Sequence, residues 1–171
     1  MNKALFLDRD GIINEDTGYP HKPEQIVFKK DIFDFCKIAI NKGYLIVVVS
    51  NQAGVAKGYF SEDAVEKLHK WMEGEFRNRG IKIAAFYYCP YHPDAVVEQY
   101  KKVSQFRKPA PGMVIQAVRE HNIDIKSSLM IGDKKSDRIE LEGLKSLVVR
   151  SKYVGQGYDL NSLKEAEKFM I

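Results

Sequence analysis

The sequence predicts an α/β fold, a Rossmann-like parallel sheet with helices on both faces. Short apolar segments of strand length alternate along the chain with amphipathic segments of helical length, which is the pattern of successive βαβ units. The run LIVVV at residues 45–49 is rich in β-branched residues, as is typical of strands buried on both faces of a parallel sheet. No stretch rich in Pro, Gly or Ser is long enough to be a linker, so a single domain over residues 1–171 is expected.

The predicted elements alternate from one end of the chain to the other. In order they are a strand over 4–7, a helix from Asp31 to Gly43, a strand over 45–49, a helix from Ser61 to Gly80, a strand over 81–88, an irregular stretch over 89–111, a helix over 113–121, a strand over 129–131, a helix through Ile139 and Leu144, and a strand over 147–149.

In the first half of the chain, capping residues and glycines define the helix ends. Asp31 opens the first helix, and Gly43 follows its apolar face at the position where a glycine commonly stops a helix. Ser61 is a favourable N-cap, and two acidic residues occupy the first turn after it. Apolar residues then recur at helical spacing as far as Phe76, and Gly80 ends the helix.

The second half repeats the alternation around the irregular stretch. Residues 81–88 and 129–131 are short apolar runs of strand length, and 113–121 has an apolar face at helical spacing. The stretch over 89–111 is too long for a plain connector, which indicates a function of its own.

Composition excludes several classes of protein. Hydrophobic residues make up 44% and charged residues 29%, which excludes a disordered chain. No apolar run approaches the roughly 20 residues of a membrane span, and the N-terminus lacks a signal-peptide pattern, so a soluble cytoplasmic protein without a membrane partner is expected. The net charge of +4 is spread along the chain, which argues against a nucleic-acid groove. Two cysteines, Cys36 and Cys89, cannot form a disulfide framework.

Polar residues follow the predicted strands at their carboxyl ends, where ligands bind in open parallel sheets. Asp8 and Asp10 follow the first strand, and two carboxylates this close favour a Mg²⁺ ion. Ser50 follows the second strand, the irregular stretch delivers the pair 107–108, and the fourth strand ends in the sequence GDKKSD at 132–137. Each feature alone has a plain structural explanation, such as a turn, a surface charge pair or a helix cap.

Together and in this order, these features resemble the phosphatases of the haloacid dehalogenase superfamily. Those enzymes carry a D-x-D after the first strand, a Ser or Thr after the second, a Lys before a later helix and a G-D-x-x-x-D acidic pair. The resemblance extends to the D-glycero-D-manno-heptose 1,7-bisphosphate 7-phosphatase family, with histidinol-phosphate phosphatases as close relatives, and it implies a domain without a separate cap. It is carried by FLDRDGIIN at 6–14, GY at 18–19, SNQAGVAKG at 50–58, YYCP at 87–90, RKPAPGM at 107–113 and GDK at 132–134.

The chain departs from the family pattern at two places. Ile12 stands where the family usually has Thr, so a hydroxyl is missing beside the acid. Many members hold a structural zinc ion in the irregular stretch. At the matching positions this chain keeps only one of the four ligands that a tetrahedral site needs; the matching residues are Cys89, Tyr91, Ser104 and Phe106, with His92 displaced by one position. We therefore expect no zinc, and a loop held by the packing of Tyr91, Phe106 and other apolar side chains.

The resemblance implies a role for each residue that matches a catalytic or binding position of the family. Asp8 is the expected nucleophile and Asp10 the expected general acid and base, while Ser50 and Lys108 fix the phosphoryl oxygens. Magnesium is expected on Asp8, on the backbone carbonyl of Asp10 and on Asp133, with Asp137 behind them. The positions that match the family's substrate contacts are Asp16, Thr17, Gly18, Tyr19, Asn51, Gln52, Ala53, Arg107 and Lys134.

The function implied is a Mg²⁺-dependent phosphatase that removes the C7 phosphate of D-glycero-D-manno-heptose 1,7-bisphosphate through an aspartyl-phosphate. Such an enzyme serves nucleotide-activated heptose biosynthesis for surface polysaccharide, and a monomer acting on a small molecule is expected. Arg107 is the candidate for the phosphate that is not cleaved, because its planar fork binds such oxygens in a bidentate manner. Three alternatives stay open: a histidinol-phosphate or other small phosphomonoester phosphatase, a nucleic-acid 3′-phosphatase, and a catalytically silent binder of a phosphorylated ligand.

Overall fold

The computed structural model describes residues 1–171 and contains one five-stranded parallel sheet. The strands and α-helices are β1 (Lys3–Leu7), α1 (Ile32–Asn41), β2 (Tyr44–Asn51), α2 (Ala53–Ala56), α3 (Glu62–Arg77), β3 (Ile83–Cys89), α4 (Gly112–His121), β4 (Leu129–Gly132) and β5 (Lys145–Val148). Short 3₁₀ helices lie at Pro23–Gln25, Glu98–Tyr100, Ile125–Ser127, Lys135–Asp137 and Leu163–Phe169.

The strand order is β3-β2-β1-β4-β5, and every neighbouring pair is parallel. The chain first adds β2 and β3 on one side of β1 and then crosses over to add β4 and β5 on the other side. The order therefore reverses between β1 and β4, and in open α/β sheets ligands bind outside the carboxyl ends of the strands at such a point. A ligand site is therefore expected beside the residues that follow Leu7 and Gly132.

The core lies on both faces of this sheet because side chains of a strand alternate between the faces. Leu5 and Leu7 of β1 point into a cluster of 22 buried residues that also takes side chains from α1 and α3. Ala4 and Phe6, the alternate residues, point into a cluster of 11 that takes side chains from α4. The predicted α/β class, with helices covering a parallel sheet on both faces, is confirmed.

Local signals explain where the longest helix begins. The Ser61 hydroxyl accepts a hydrogen bond from the backbone N–H of Ala64 at 3.2 Å, so one of the free N–H groups of the first turn of α3 is paired. Glu62 and Asp63 lie in that first turn, where the helix dipole favours negative charge. The apolar stripe of α3, including Leu68 and Met72, is buried against the sheet.

The structure corrects the sequence prediction in the segment between β4 and β5. The helix predicted through Ile139 and Leu144 is absent, and only the 3₁₀ turn at Lys135–Asp137 is present. The backbone N–H of Ile139 donates to the Ser146 hydroxyl, and that of Glu140 donates to the carbonyl of Pro109, so neither is available for a helix. The apolar residues of this segment still pack into the α4 side of the core, which is why their pattern resembled a helix.

Four smaller differences concern element ends and short elements. The third strand begins at Ile83 rather than at 81, and the fifth strand spans Lys145–Val148 rather than 147–149. The short helix α2 and the final 3₁₀ helix at Leu163–Phe169 were not predicted. No helix in the structure is both long enough and apolar enough to cross a membrane.

Candidate active site

A cavity of about 280 Å³ opens at the carboxyl ends of the strands. Its lining contains most of the residues singled out in the sequence, together with Ser136 and Tyr153. The lining residues are Asp8, Asp10, Asp16, Gly18, Tyr19, Asn51, Gln52, Ala53, Arg107, Lys108, Lys134, Ser136, Asp137 and Tyr153. The first, second and fourth strands, the irregular stretch and the segment after β5 thus meet at one cavity.

A buried cluster of one ammonium group and three carboxylates lies at the floor of the cavity. Lys108, Asp8 and Asp137 line the cavity, whereas Asp133 does not. The Lys108 Nζ lies 2.7 Å from Asp8 Oδ1 and 2.6 Å from Asp137 Oδ1, and it also donates to the Val49 carbonyl at 2.9 Å. Carboxylate oxygens of Asp8, Asp133 and Asp137 lie within 4.8 Å of one another. All four charged side chains are less than a tenth exposed.

This burial shifts the protonation of the cluster. Burial raises the pKa of Asp8 to about 8, with the Asp137 carboxylate adding to the rise and Lys108 opposing it. Burial also raises the pKa of Asp133 to about 6, against the opposing charge of Lys134. Burial acts to lower the pKa of Lys108, but the carboxylates of Asp137 and Asp8 outweigh it and hold the pKa above its ordinary value. Once two or more of its three carboxyl groups are ionised, the buried cluster carries more negative charge than its single ammonium group neutralises.

The donor set fits a divalent cation. Asp133 Oδ1 is buried and has no hydrogen-bond partner, and a buried carboxylate oxygen without a partner is costly unless a cation binds it. Asp137 differs, because its Oδ1 accepts from Lys108 and its Oδ2 accepts from the backbone N–H groups of Asp133 and Lys134, each at 3.0 Å. Asp8 and Asp133 thus have oxygens to offer a Mg²⁺ ion, whereas Asp137 holds the surrounding groups in position.

Two glycines allow the carboxylates to pack this closely. Gly11 has a φ of +96°, and a Cβ atom there would lie 2.1 Å from Asp133 Oδ2. A Cβ atom on Gly132 would lie 2.0 Å from the Asp137 carboxyl carbon. Any other residue at either position would therefore displace a carboxylate of the cluster.

Asp10 is held beside the cluster by four N–H donors. Arg9 Nε and Asn14 Nδ2 each donate to Asp10 Oδ1 at 3.0 Å, and Arg9 Nη2 donates to Oδ2 at 3.1 Å. Gln52 Nε2 lies 3.3 Å from the same Oδ2 and also donates to the Ser50 hydroxyl at 2.7 Å. Ser50 itself is buried and, although predicted to contact the phosphoryl group, does not line the cavity.

Asn51 has a contact that the sequence did not indicate. Its Nδ2 donates to the backbone carbonyl of Lys108 at 3.1 Å, and its Oδ1 accepts from the backbone N–H of Lys108 at 2.9 Å. This reciprocal pair joins the end of β2 to the irregular stretch and fixes the backbone from which the Lys108 side chain enters the cluster.

Two segments form the outer wall of the cavity. Tyr153 donates from its hydroxyl to Asp16 Oδ2 at 2.6 Å, and Lys134 Nζ lies 3.4 Å from the same oxygen. Although partial burial opposes it, these two partners lower the pKa of Asp16. Arg107 lines the cavity, and its Nη1 is buried without a hydrogen-bond partner. Thr17, by contrast, is exposed and does not line the cavity.

Sequence reasoning missed Arg9, His69 and Tyr153. Arg9 appeared only inside the D-x-D motif, and an adjacent basic and acidic residue gives no sign of burial. Tyr153 follows the last strand, so the rule that ligands bind at the carboxyl ends of strands could have indicated it. No signal in the sequence pointed to His69, because its role depends on packing between α3 and the loop after β1.

The irregular stretch is held differently from the expectation. Tyr91 packs against the α4 side of the core, with Lys102 Nζ 3.8 Å from its ring centroid. Phe106 is 41% exposed, so the expectation that its packing holds the loop is wrong. Instead the backbone N–H of Phe106 donates to the buried Ser104 hydroxyl at 3.1 Å. Cys89 Sγ lies 3.9 Å from the Tyr91 carbonyl, a weak hydrogen bond within the loop.

Comparison with known proteins agrees with this geometry. The family model described as "Polynucleotide kinase 3 phosphatase" matches residues 6–155. The D-glycero-alpha-D-manno-heptose-1,7-bisphosphate 7-phosphatase of Burkholderia mallei is 48% identical over 136 residues, covering 80% of this chain and 72% of that protein. The D-glycero-beta-D-manno-heptose-1,7-bisphosphate 7-phosphatase of Vibrio cholerae is 41% identical over 178 residues, covering 98% of this chain and 96% of that protein.

A solved structure has the same fold. The D,D-heptose 1,7-bisphosphate phosphatase of B. bronchiseptica, complexed with magnesium and phosphate, superposes with a TM-score of 0.74 at 24% identity, covering 86% of this chain and 80% of that one. With the sequence matches over most of their length, the chain belongs to the D-glycero-D-manno-heptose-1,7-bisphosphate 7-phosphatase family of the haloacid dehalogenase superfamily.

Proposed function

We propose that the protein is a Mg²⁺-dependent phosphatase that hydrolyses the C7 phosphate of D-glycero-D-manno-heptose 1,7-bisphosphate through an aspartyl-phosphate. The observation that carries the proposal is the ion pair of Lys108 with Asp8, buried at the floor of a polar cavity, with Asp133 beside it. The choice of heptose 1,7-bisphosphate as the substrate is based on the relatives that are named as heptose bisphosphate phosphatases.

Asp8 is the proposed nucleophile. Its carboxylate lies at the carboxyl end of β1, lines the cavity and is reached by one ammonium group. Attack on phosphorus forms the bond from its oxygen to phosphorus and breaks the bond from phosphorus to the sugar oxygen. Lys108 is proposed to place its positive charge at the phosphoryl oxygens, which is the electrostatic stabilisation that phosphoryl transfer requires. Ser50 does not line the cavity and is proposed to act through Gln52, which donates to its hydroxyl and lines the cavity.

Asp10 is the proposed general acid and base. It donates a proton to the departing sugar oxygen, and it then accepts a proton from the water that cleaves the aspartyl-phosphate. Its carboxylate is partly exposed to the cavity and oriented from behind by Arg9, Asn14 and Gln52.

Magnesium is proposed to bind Asp8, the backbone carbonyl of Asp10, and Asp133. When bound, it neutralises the carboxylates and the phosphoryl group as they approach one another. The unpartnered oxygen of Asp133 supports this donor set, and the fully hydrogen-bonded carboxylate of Asp137 supports its placement behind the ligands.

The second phosphate of the substrate is proposed to bind Arg107. The buried Nη1 of this residue has no partner within the protein, so an anion in the cavity would complete its hydrogen bonding. Lys134 and Tyr19 lie on the same cavity and are proposed to contact the sugar or its phosphate. We further propose a monomeric, cytoplasmic enzyme whose partner is this small molecule, and a single domain over 1–171.

The test is phosphate release from purified protein with a panel of substrates. The panel contains heptose 1,7-bisphosphate, histidinol phosphate and 3′-phosphorylated DNA, the last because the matching family model is described as a 3′ phosphatase. We expect the bisphosphate to have the highest kcat/KM, with activity abolished by EDTA and by Asp8→Asn. A higher kcat/KM for histidinol phosphate or for DNA would show that this compound, and not the heptose bisphosphate, is the substrate. If Asp8→Asn kept more than a few per cent of the activity, the aspartyl-phosphate mechanism would be contradicted.

A further inference from the structure

Arg9 is the largest fully buried side chain of the protein, and it lies between the two aspartates of the D-x-D motif. Its Nε and Nη2 form a two-pronged contact with the carboxylate of Asp10 at 3.0 and 3.1 Å. Nη2 also donates to the carbonyl of Pro20 at 2.9 Å. The guanidinium is thus held by groups on both sides, and its orientation determines where two of the four donors to Asp10 lie.

The remaining nitrogen of the guanidinium meets a histidine. Arg9 Nη1 lies 3.1 Å from Nε2 of His69. Because a guanidinium group has only donors, Nε2 must accept this hydrogen bond, so the imidazole is neutral with its proton on Nδ1. Burial and the positive charge of Arg9 lower the pKa of His69 to about 3, in agreement with a neutral ring.

His69 is itself fixed by elements outside the cavity. It lies on α3, is 5% exposed and stacks on the ring of Phe86 in β3, with centroids 4.8 Å apart and planes 25° apart. The edge of Tyr88 approaches from the same strand at 5.9 Å. None of these three rings lines the active-site cavity. Their contact with the catalytic machinery runs through the hydrogen bond from Arg9.

From this arrangement we propose that His69 is a positioning residue for Asp10, acting through the orientation of the Arg9 guanidinium. The inference rests on the proposed function, in which Asp10 protonates the leaving group. Without an acceptor at position 69, a buried N–H of Arg9 is left unpaired, and the guanidinium turns to find another partner. That rotation displaces the two donors that face Asp10. Asn14 and Gln52 still donate to Asp10, so the loss of catalysis is expected to be partial.

The experiment compares two substrates whose leaving groups differ in their need for a proton. Heptose 1,7-bisphosphate releases an alkoxide, which must be protonated, whereas p-nitrophenyl phosphate releases a phenolate that is stable without a proton. Since kcat/KM includes only the steps up to departure of the leaving group, the later hydrolysis common to both substrates does not obscure the comparison.

His69→Leu removes the acceptor and is expected to lower kcat/KM for the bisphosphate by about 10- to 100-fold, the range for a displaced catalytic group. Activity on p-nitrophenyl phosphate is expected to change by less than about threefold. His69→Gln restores a carbonyl acceptor and is expected to recover most of the bisphosphate activity. Should His69→Leu fail to fold, His69→Met removes the same acceptor with a more adaptable side chain.

Two further variants distinguish a failure of the proposed role of His69 from a failure of the proposed mechanism. Val65→Ala lies one turn earlier on α3 and is buried, so it controls for loss of packing alone and should affect both substrates alike. Asp10→Asn should show the strongest dependence on the leaving group. If Asp10→Asn shows this dependence and His69→Leu does not, or if His69→Leu lowers both substrates equally, the role of His69 is overturned while the proposed function stands. If Asp10→Asn shows no dependence, the proposed mechanism fails and the role of His69 fails with it.

Discussion

Asn51 and Lys108 bind each other through a pair of hydrogen bonds, one in each direction between the Asn51 carboxamide and the Lys108 backbone. Asn51 ends β2, and Lys108 lies in the irregular stretch that crosses the top of the sheet. The ammonium group can reach Asp8 and Asp137 only if this backbone is fixed. The two hydrogen bonds from the end of β2 therefore help to place the positive charge of Lys108 beside the carboxylates of the candidate active site.

Replacing Asn51 by Ala should lower both stability and activity. Two partly buried hydrogen bonds are lost, each worth about 0.5–1.5 kcal/mol, so urea denaturation should report a loss of about 1–3 kcal/mol. The specificity constant should fall on every phosphate substrate, because Lys108 serves the phosphoryl group that all of them share. A loss confined to one substrate would instead indicate that Asn51 acts by contacting the rest of the substrate.

The stability of the metal-free protein should depend on pH. In the folded state the pKa of Asp8 is about 8 and that of Asp133 is about 6, both above the ordinary value of 3.8. Between the ordinary value and the folded value of each group, the folded state therefore binds more protons than the unfolded state. The stability that these two carboxyl groups contribute is greatest below their unfolded pKa and is lost as the pH rises through their folded values. The lowered pKa of His69 acts in the opposite direction below pH 6.5, but from pH 5 upward the two carboxyl groups together outweigh this single histidine. The melting temperature in EDTA should therefore fall from pH 5 to pH 8.

Magnesium should reverse that trend, since it stabilises the ionised carboxylates of the folded state. Asp133→Asn provides the matched comparison. It removes one titrating group and one proposed metal ligand, so its melting temperature should vary less with pH and respond less to Mg²⁺. An unchanged melting temperature on adding Mg²⁺ to the unmutated protein at pH 8 would contradict the proposed metal site.

Arg107→Ala should distinguish the substrates. A charge-assisted bidentate contact is worth roughly 1.5–3 kcal/mol, so the specificity constant for heptose 1,7-bisphosphate should fall by about 10- to 150-fold, with Arg107→Lys intermediate. Turnover of p-nitrophenyl phosphate should hardly change, because it has no second phosphate. Lys108→Ala is the control and should depress both substrates. Equal losses for Arg107→Ala would assign Arg107 to the reacting phosphate.

The irregular stretch should contain no stoichiometric zinc. Among the positions where zinc-binding relatives have ligands, only Cys89 offers a suitable atom, and its Sγ is directed at the Tyr91 carbonyl. The nearby His92 accepts through Nδ1 from the backbone N–H of Asp94 at 3.0 Å. Elemental analysis of tag-free protein checks the prediction. Zinc at one equivalent, lost together with thermal stability in Cys89→Ala, would refute it.

Much of the fold follows from local pattern. The β-branched run of β2 and the apolar stripe of α3 are long and regular enough to identify their elements without any tertiary information. The predicted helix through Ile139 failed for the opposite reason. Its backbone donors are taken by Ser146 and Pro109, and the latter lies 30 or so positions away in the sequence, beyond the reach of a local pattern.

The candidate site was predictable as far as it follows from strand ends. Asp8 and Asp133 extend from neighbouring parallel strands, so topology alone brings them together. Tyr153 and His69 reach the site through a hydrogen bond to Asp16 and a hydrogen bond from Arg9. Both contacts depend on how loops and helices pack over the sheet, and one sequence carries no direct sign of that packing.

The proposed function is tested most directly by identifying which phosphate the protein removes. Phosphorus NMR of a reaction with heptose 1,7-bisphosphate and Mg²⁺ follows both phosphates at once. If the protein removes the C7 phosphate, one equivalent of inorganic phosphate appears and the remaining signal couples to the single anomeric proton, as expected for heptose 1-phosphate. A remaining signal coupled to the two C7 protons, or no release from the bisphosphate while another phosphomonoester is hydrolysed, would contradict the proposed function.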